Sequence, residues 1–285
     1  MAKEKKEQVQ TVEIRQPEPR ELLRVEGVGL VRNQNEKVLE KLTFGVYKGE
    51  FLSIIGSSGA GKSSLLHVLA GLLPPSEGKV IYRGKELHRP TARIGLVYQD
   101  YALFPWRTAI KNVEFGLEVR GVRESERRKL AEEALDLLGM LEHRDKYPIQ
   151  LSGGMQQRVA IARVLVNKPD ILMMDEAFSA LDVQTKRKLE EQILQIQKEL
   201  GITVILVTHL VEQALALSDR SIVLNKGKME RIITLDGEKK PRDIDAPKFR
   251  ELLRDTEALI KTTPKLEVFV QDLMKLERKK PVPKP

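Results

Sequence analysis

A glycine-rich loop with a lysine is the first feature of this sequence that could do chemistry. The stretch GSSGAGKSS directly follows the apolar run FLSII and precedes a segment with helical spacing. Its pattern Gly56-x-x-x-x-Gly61-Lys62-Ser63 is that of a phosphate-binding loop, because glycines let successive N–H groups wrap a phosphate at a helix N-terminus. Lys62 would bridge the β- and γ-phosphates of a nucleotide, and the Ser63 hydroxyl would bind Mg²⁺. The alternative, a glycine-rich turn with a chance lysine, does not explain the strand–loop–helix context. We therefore predict nucleotide contacts along the whole loop: Gly56, Ser57, Ser58, Gly59, Ala60, Gly61, Lys62, Ser63 and Ser64.

A pair of carboxylates at the end of an apolar run supplies the second half of a nucleotide site. The run ILMMDE, residues 171–176, indicates a buried strand that ends at the carboxyl edge of a sheet. At this edge Asp175 would face the shell of a Mg²⁺ ion. Glu176 would reach a water in line with the γ-phosphate and act as a general base. The alternative is an acidic pair that only caps a neighbouring helix.

The segment LSGGMQQR, residues 151–158, adds a second place for an anion. Ser152, Gly153 and Gly154 precede a segment with helical spacing, so their hydroxyl and N–H groups would lie at a helix N-terminus. A whole helical insertion separates this turn from the phosphate loop, so one chain cannot easily fold the turn onto its own loop. We expect a dimer in which the turn of one copy closes on the γ-phosphate held by the other.

The elements that must position these residues follow an α/β pattern, since strand-like apolar runs alternate with helical segments. We predict a mostly parallel sheet with helices on both of its faces. The expected order is strands at 22–31, 41–47 and 51–55, a helix from Lys62 to the pair Pro74-Pro75, a strand at 93–99, helical runs between 101 and 150, a strand at 171–175, a helix at 186–200, a strand at 202–207 and a hairpin about residues 225–227.

Changes in composition along the chain predict its domain organisation. Residues 1–21 are polar and contain two prolines, which is typical of a flexible tail. The organised domain is expected at 22–236, with a helical subdomain at about 100–157. The remaining residues, 237–285, are expected to form a helical tail with a disordered end.

Composition also limits the classes of function. The formal charge is +8, but basic and acidic residues are interleaved, with no basic stripe and no interleaved aromatics. We therefore expect no nucleic acid as a partner, and at most a mild attraction to an anionic membrane surface. The absence of cysteine excludes disulfides and thiolate chemistry. No apolar run approaches the ~20 residues of a membrane span, and the polar start MAKEKKEQVQ is not a secretory signal. A cytoplasmic protein is expected.

With these motifs, the chain resembles the ATP-binding subunits of ABC transporters from residue 22 to about residue 235. GSSGAGKS matches the Walker A loop, VYQD the Q-loop, LSGGMQQR the signature, ILMMDE the Walker B strand, SALD the D-loop and VTHL the switch-histidine segment. The resemblance implies a P-loop NTPase core of the RecA-like type. It also implies a helical subdomain between Q-loop and signature, and an antiparallel β region near the N-terminus. Switch GTPases and small-molecule kinases do not carry the signature.

The resemblance implies a role for each matching residue, with ATP as the nucleotide. Glu176 would be the catalytic base, His209 would hold the γ-phosphate, and Gln99 would sense Mg²⁺ and the attacking water. Asp182 would order the dimer interface. The Mg²⁺ ligands would be Ser63, Gln99 and Asp175. The signature residues acting on the partner's nucleotide would be Ser152, Gly153, Gly154 and Gln156.

Three positions depart from the family pattern. Such subunits commonly stack an aromatic residue on the adenine near Val31, and we expect Arg32 to stack there instead through a cation–π contact. Ala177 replaces the usual proline after the Walker B glutamate, and Leu210 replaces the usual aspartate after the switch histidine. None of these changes removes a group that hydrolysis needs.

Two functions remain open, the motor subunit of a membrane importer and a soluble ABC ATPase that acts on nucleic acid or ribosomes. A single cassette with a short insertion favours the importer. Its partners would be integral membrane permease subunits and an external solute-binding protein, and it would lie at the cytoplasmic face of the membrane.

The stretches DYALFPWRTAIKNVEFGLEVRGV and YPIQLSGGMQQRVAIAR resemble the nitrate/sulfonate/taurine subfamily. Phe104-Pro105-Trp106 would then dock the permease, with ordinary core packing as the alternative. The solute, and the choice between homodimer and heterodimer, stay open.

Overall fold

The computed structural model describes residues 20–32, 36–178, 181–235 and 240–260. The predictions for the tail before residue 20, for Ser179 and Ala180 of the D-loop, and for the disordered end after residue 260 lie outside these described residues. The strands, in chain order, are β1 (Glu21–Arg32), β2 (Glu36–Tyr47), β3 (Phe51–Ile55), β4 (Glu77–Tyr82), β5 (Lys85–Glu86), β6 (Ile94–Val97), β7 (Ile171–Asp175), β8 (Thr203–Thr208), β9 (Arg220–Asn225) and β10 (Lys228–Thr234).

Two sheets form, and the larger one carries the phosphate loop. Its spatial order is β10-β9-β3-β8-β7-β6, in which β9, β3, β8, β7 and β6 are parallel and β10 is antiparallel. Strands β3, β7 and β8 are buried along their whole length, as expected of apolar runs inside a parallel sheet. The smaller sheet, in the order β2-β1-β4-β5, is antiparallel and lies near the N-terminus, as predicted.

The helices follow the sheet strands in the expected alternation. Two short 3-10 turns lie at Leu141–His143 and Pro148–Gln150, between the third and fourth helices. The helices are α1 (Lys62–Leu69), α2 (Ala109–Val119), α3 (Glu124–Leu137), α4 (Gly153–Leu165), α5 (Val183–Leu200), α6 (Val211–Leu217) and α7 (Pro247–Ile260).

Two predicted helix boundaries were wrong for local reasons. Helix α1 ends at Leu69, before the proline pair, because Gly71 takes a left-handed φ of +71° and the chain turns there. A side chain at this glycine would also meet the backbone of Arg89 at 2.9 Å. Helix α5 begins at Val183, three residues earlier than predicted, because Asp182 caps it.

The core consists of apolar layers on the two faces of the larger sheet. On one face, helix α1 and the smaller sheet pack onto the strands. On the other, α2, α3, α4 and α5 share one cluster with β7 and β8. A third cluster joins α6 and α7. Among the described helices, none is long and apolar enough to cross a lipid bilayer.

Candidate functional site

The phosphate loop connects β3 to α1 at the carboxyl edge of the larger sheet. Gly59 and Gly61 have φ of +79° and +96°, which L-residues with a side chain rarely adopt. A Cβ at Gly61 would also lie 2.8 Å from the Leu39 side chain and from the Val38 carbonyl. The two glycines therefore follow from the conformation of the loop.

The Lys62 ammonium lies inside this loop. Its Nζ donates to the carbonyl oxygens of Gly56 and Ser57, both at 3.0 Å. Burial lowers the pKa of Lys62, while the nearby carboxylates of Glu176 and Asp175 act in the opposite direction. The lysine is thus a buried cation with access to the space that the loop encloses.

The Walker B strand brings Asp175 against the start of α1. The Ser63 hydroxyl donates to Oδ1 of Asp175 at 3.1 Å. Burial raises the pKa of Asp175, and the hydrogen bond from Ser63 lowers it. A hydroxyl and a buried carboxylate beside a phosphate loop are hard oxygen donors, and a divalent cation would offset the burial of the carboxylate. The donor set therefore fits Mg²⁺.

Glu176 and His209 meet because β7 and β8 are parallel neighbours that end at the same edge. The Nδ1 atom of His209 lies 3.3 Å from Oε2 of Glu176. The Glu176 N–H donates to the carbonyl of Val207, which ties the end of one strand to the other. Glu176 has a φ of +46°, an uncommon conformation for a residue with a side chain. Such local strain is frequent at catalytic positions.

One cavity of about 530 Å³ gathers most of the predicted nucleotide contacts. This volume is within the range of small-molecule sites. Two lining residues, Glu36 and Val38, were not predicted from the sequence, although Glu36 is the antiparallel partner of Arg32 and a hairpin pattern could have indicated it. The lining residues are Arg32, Glu36, Val38, Ser58, Gly59, Gly61, Lys62, Ser63, Ser64, Gln99 and Glu176.

The signature segment forms the start of α4, as predicted, but it lies outside the nucleotide cavity of its own chain. Ser152 is the N-cap residue and its Oγ accepts from the Met155 N–H at 3.4 Å. A Cβ on Gly154 would contact Thr185 and Leu181, so the segment lies beside the start of α5. Among the described residues that line the nucleotide cavity, none belongs to this turn.

Two further predicted residues shape the turns that they occupy. The Gln156 amide donates to the carbonyls of Pro148 and Leu151, which holds the chain just before the signature. Oδ1 of Asp182 accepts from the N–H groups of Gln184 and Thr185, both at 3.1 Å. The hydrogen bonding from Thr185 is the main reason why the pKa of Asp182 lies below its usual value.

The predicted docking segment after Gln99 is a well-bonded loop with an exposed aromatic side chain. Trp106 is 71% exposed, whereas Phe104 packs between Trp106 and Phe115. The fully buried Asn112 holds the loop through bonds to the backbone of Phe104, Arg107 and Thr108. Phe104 is therefore partly buried among aromatic neighbours, and Trp106 is exposed.

Comparison with known proteins matches this geometry to one family. The family model described as "ABC transporter" matches residues 39–179. The uncharacterized ABC transporter ATP-binding protein MJ0412 of Methanocaldococcus jannaschii is 48% identical over 217 residues, which cover 75% of this chain and 81% of that protein. The nitrate import ATP-binding protein NrtD of a Synechocystis strain is 42% identical over 214 residues, covering 74% and 79% respectively.

A solved structure extends the match to the fold. The dimeric ATP-binding cassette MJ0796, in a post-hydrolysis state with ADP and Pi, matches with a TM-score of 0.69 and 33% identity, covering 76% of this chain and 100% of that chain. This likeness and the described geometry agree with the α/β fold of a P-loop NTPase. The chain therefore belongs to the ABC transporter family, as an ATP-binding cassette protein with ATPase activity.

Proposed function

We propose that this chain is the motor subunit of a membrane importer for a small solute of the nitrate, sulfonate or taurine type. One observation carries the proposal: Lys62, Gln99 and Glu176 line a single nucleotide-sized cavity. The similarity to a nitrate import protein supports the importer class, and the sequence resemblance supports the subfamily. We also assign residues 22–236 to the ATP-binding domain, with a helical subdomain at about 100–157.

The phosphate loop binds the triphosphate of ATP. Its N–H groups and the N-terminus of α1 face negative charge, and the Lys62 ammonium pairs with the β- and γ-phosphates. Arg32, which lines the same cavity, stacks on the base. Ser63, Asp175 and Gln99 would hold Mg²⁺, which would neutralise charge that develops on the phosphates.

Glu176 activates the attacking water. Its carboxylate accepts a proton from the water as the oxygen forms a bond to the γ-phosphorus, and the bond from that phosphorus to the bridging oxygen breaks. The products are ADP and phosphate. His209 contacts Glu176 at 3.3 Å, and its imidazole donates to the γ-phosphate.

A second copy completes each site. Ser152 lies at the start of α4 and outside the cavity of its own chain, so its hydroxyl serves the γ-phosphate bound by the partner copy. Gly153, Gly154 and Gln156 form the rest of that contact, and Asp182 orders the same interface. ATP-driven closure of the dimer then couples hydrolysis to movement of the permease.

The exposed Trp106 lies on the surface that contacts the permease at the cytoplasmic face of the membrane, and an external binding protein delivers the solute.

The charges of the helical insertion favour the importer over an ATPase that acts on nucleic acid. The buried Glu114 lies 2.8 Å from Lys111, 3.6 Å from Arg127 and 3.7 Å from Arg128. These cations are therefore paired within the protein and do not form a free basic stripe.

Glu176→Gln tests the chemistry. The substitution keeps the size of the side chain and removes the proton acceptor, so turnover should fall by at least ~10²-fold, the scale of general-base loss. ATP binding should persist, and an ATP-bound dimer should accumulate in size-exclusion chromatography. Glu133→Gln removes an exposed carboxylate from α3 and serves as the matched control. Hydrolysis within a few-fold of the parent rate would exclude Glu176 as the base.

A further inference from the structure

Behind His209 lies a continuous chain of side-chain hydrogen bonds that the proposed chemistry does not use. Oγ1 of Thr208 donates to Oε1 of Gln213 at 2.9 Å, and Nε2 of Gln213 donates to Oε1 of Glu190 at 2.6 Å. The Lys186 ammonium lies 3.9 Å from the same carboxylate oxygen. Thr208 and Gln213 are buried, at 3% and 6% exposure, so water does not replace these bonds easily.

With Glu190 ionised, each bond in this chain has one direction. An ionised carboxylate can only accept, so Glu190 requires the amide nitrogen of Gln213 to point toward it. The amide oxygen must then face Thr208, and the Thr208 hydroxyl must donate to it. A lone pair of Thr208 Oγ1 is thereby left to accept the N–H of Leu210, at 3.1 Å. The turn at residues 208–210, which carries His209, is closed by this last bond.

The three residues lie on three different elements. Thr208 ends β8, Gln213 lies in the first turn of α6, and Glu190 lies in α5. Glu190 is two turns along α5 from Asp182, the capping residue. Burial raises the pKa of Glu190, while the hydrogen bond from Gln213 and the charges of Lys186 and Arg187 lower it. The chain of bonds therefore joins the switch turn to the helix that begins at the D-loop.

We propose that Thr208, Gln213 and Glu190 are positioning residues, which fix the switch turn so that His209 meets Glu176 and the γ-phosphate. The inference rests on the role of His209 proposed above. None of the three residues lines the nucleotide cavity within the described part of the chain. Their loss should therefore slow the chemical step and leave ATP affinity unchanged.

The first pair of variants separates the hydroxyl from the packing. Thr208→Val keeps the shape of the side chain but removes both bonds, and misplacing a catalytic group by a fraction of an ångström to 1 Å typically costs ~10- to 10²-fold in rate. We expect kcat of the full-length chain to fall by at least ~10-fold, with KM and the Kd for ATP changed by less than about threefold. Thr208→Ser, which restores the hydroxyl, should recover at least about half of the parental kcat.

A second set of variants tests the direction of the bonds. Gln213→Glu places two carboxylates at hydrogen-bond distance and should lower kcat by a similar ~10-fold. Adding Glu190→Gln restores a donor, because the new amide can donate to the new carboxylate while Thr208 still donates to its other oxygen. The double variant should return to within about threefold of the parent. Glu191→Gln, the next residue of α5, makes the same charge change outside the chain of bonds and is the control.

The outcome is decided by the kcat values of Thr208→Val, of the Gln213→Glu/Glu190→Gln double variant and of His209→Ala. ATP-binding stoichiometry gives the folded fraction, so that kcat is expressed per competent site. If either Thr208→Val or Gln213→Glu fails to fold, the other variant still tests the inference. A parental kcat for Thr208→Val beside an inactive His209→Ala would overturn the inference alone. A double variant no faster than Gln213→Glu would do the same. A parental rate for His209→Ala would overturn both the role of His209 and this inference.

Discussion

Glu50 predicts how the stability of the fold depends on pH. This residue directly precedes β3 and is buried, with Oε2 3.2 Å from Nη1 of Arg220. Burial is the largest influence and raises the pKa of Glu50 to about 7 from 4.5, against the opposing effects of the Tyr47 N–H and of Arg220. Between these two values the folded chain holds a proton at Glu50 that the unfolded chain releases. The stabilisation is therefore complete below pH 4.5 and is lost as the pH rises through 7.

The size of this effect follows from the two pKa values. At 1.36 kcal/mol for each pKa unit, the change from 4.5 to about 7 corresponds to at most about 3 kcal/mol of unfolding free energy. Glu50→Gln removes the titration. The stability of the parent relative to this variant should fall by up to about 3 kcal/mol between pH 4.5 and pH 8, and it should be constant above that range.

Urea unfolding at several pH values measures the difference. The parent, Glu50→Gln and the exposed-charge control Glu133→Gln are compared under the same conditions, and the m-values should agree. The control should follow the parent at every pH. A difference between parent and Glu50→Gln that stays flat, or that grows with rising pH, would refute the reasoning. It would mean that Arg220 outweighs burial and keeps Glu50 ionised throughout.

Three further predictions concern the proposed function. Because Arg32 is proposed to stack on the base in place of an aromatic residue, GTP should be hydrolysed within about tenfold of ATP, roughly 1.4 kcal/mol or less. A preference for ATP beyond a hundredfold in kcat/KM would contradict this role. Lys62→Ala and Ser152→Arg damage opposite sides of one composite site, so mixing the two inactive variants with the permease should restore ATPase activity, up to about half per mixed dimer if the two sites act independently. In a separate ATP-trapped dimer, a crosslink between engineered cysteines at position 152 and in the phosphate loop should join two chains, and a crosslink found only within one chain would exclude the dimer. Trp106→Ala should lower the permease-stimulated rate by about tenfold, the scale of a buried aromatic contact in an interface, whereas the equally exposed Val119, changed to Ala, should leave it unchanged.

Local chemistry explains which features could be predicted from the sequence. The phosphate loop needs glycines where φ is positive, and the cap of α4 is favoured by a short side chain with an acceptor oxygen at residue 152. Both requirements act within four residues along the chain. The parallel order of β7 and β8 followed from two apolar runs separated by a helix, and this order brings Glu176 to His209. The sheet class was therefore predicted correctly from the residues, and the antiparallel region was predicted correctly from the family resemblance.

Contacts between distant elements could not be predicted in this way. Glu190 and Gln213 are 23 residues apart on two helices, and only the tertiary fold brings their side chains together. Either side chain, taken alone, is typical of a solvated helix face. The buried state of Glu50 likewise depends on Arg220, which is 170 residues away. The periodicity of residue types predicts helices and strands, but it does not predict how two helices are oriented relative to each other.

The N-cap role of Ser152 limits which residues can replace it during evolution. Ser152 accepts the Met155 N–H through a lone pair, so its own proton stays available to an outside acceptor such as the proposed γ-phosphate. The same hydroxyl therefore stabilises the helix through a lone pair and can contact the phosphate through its proton. Asp would keep the cap but repel the anion, and Gly would keep most of the helix stability but offer no proton. Thr would keep both the acceptor oxygen and the proton. Substitutions at this one residue can therefore separate its contribution to helix stability from its contribution to the proposed phosphate contact.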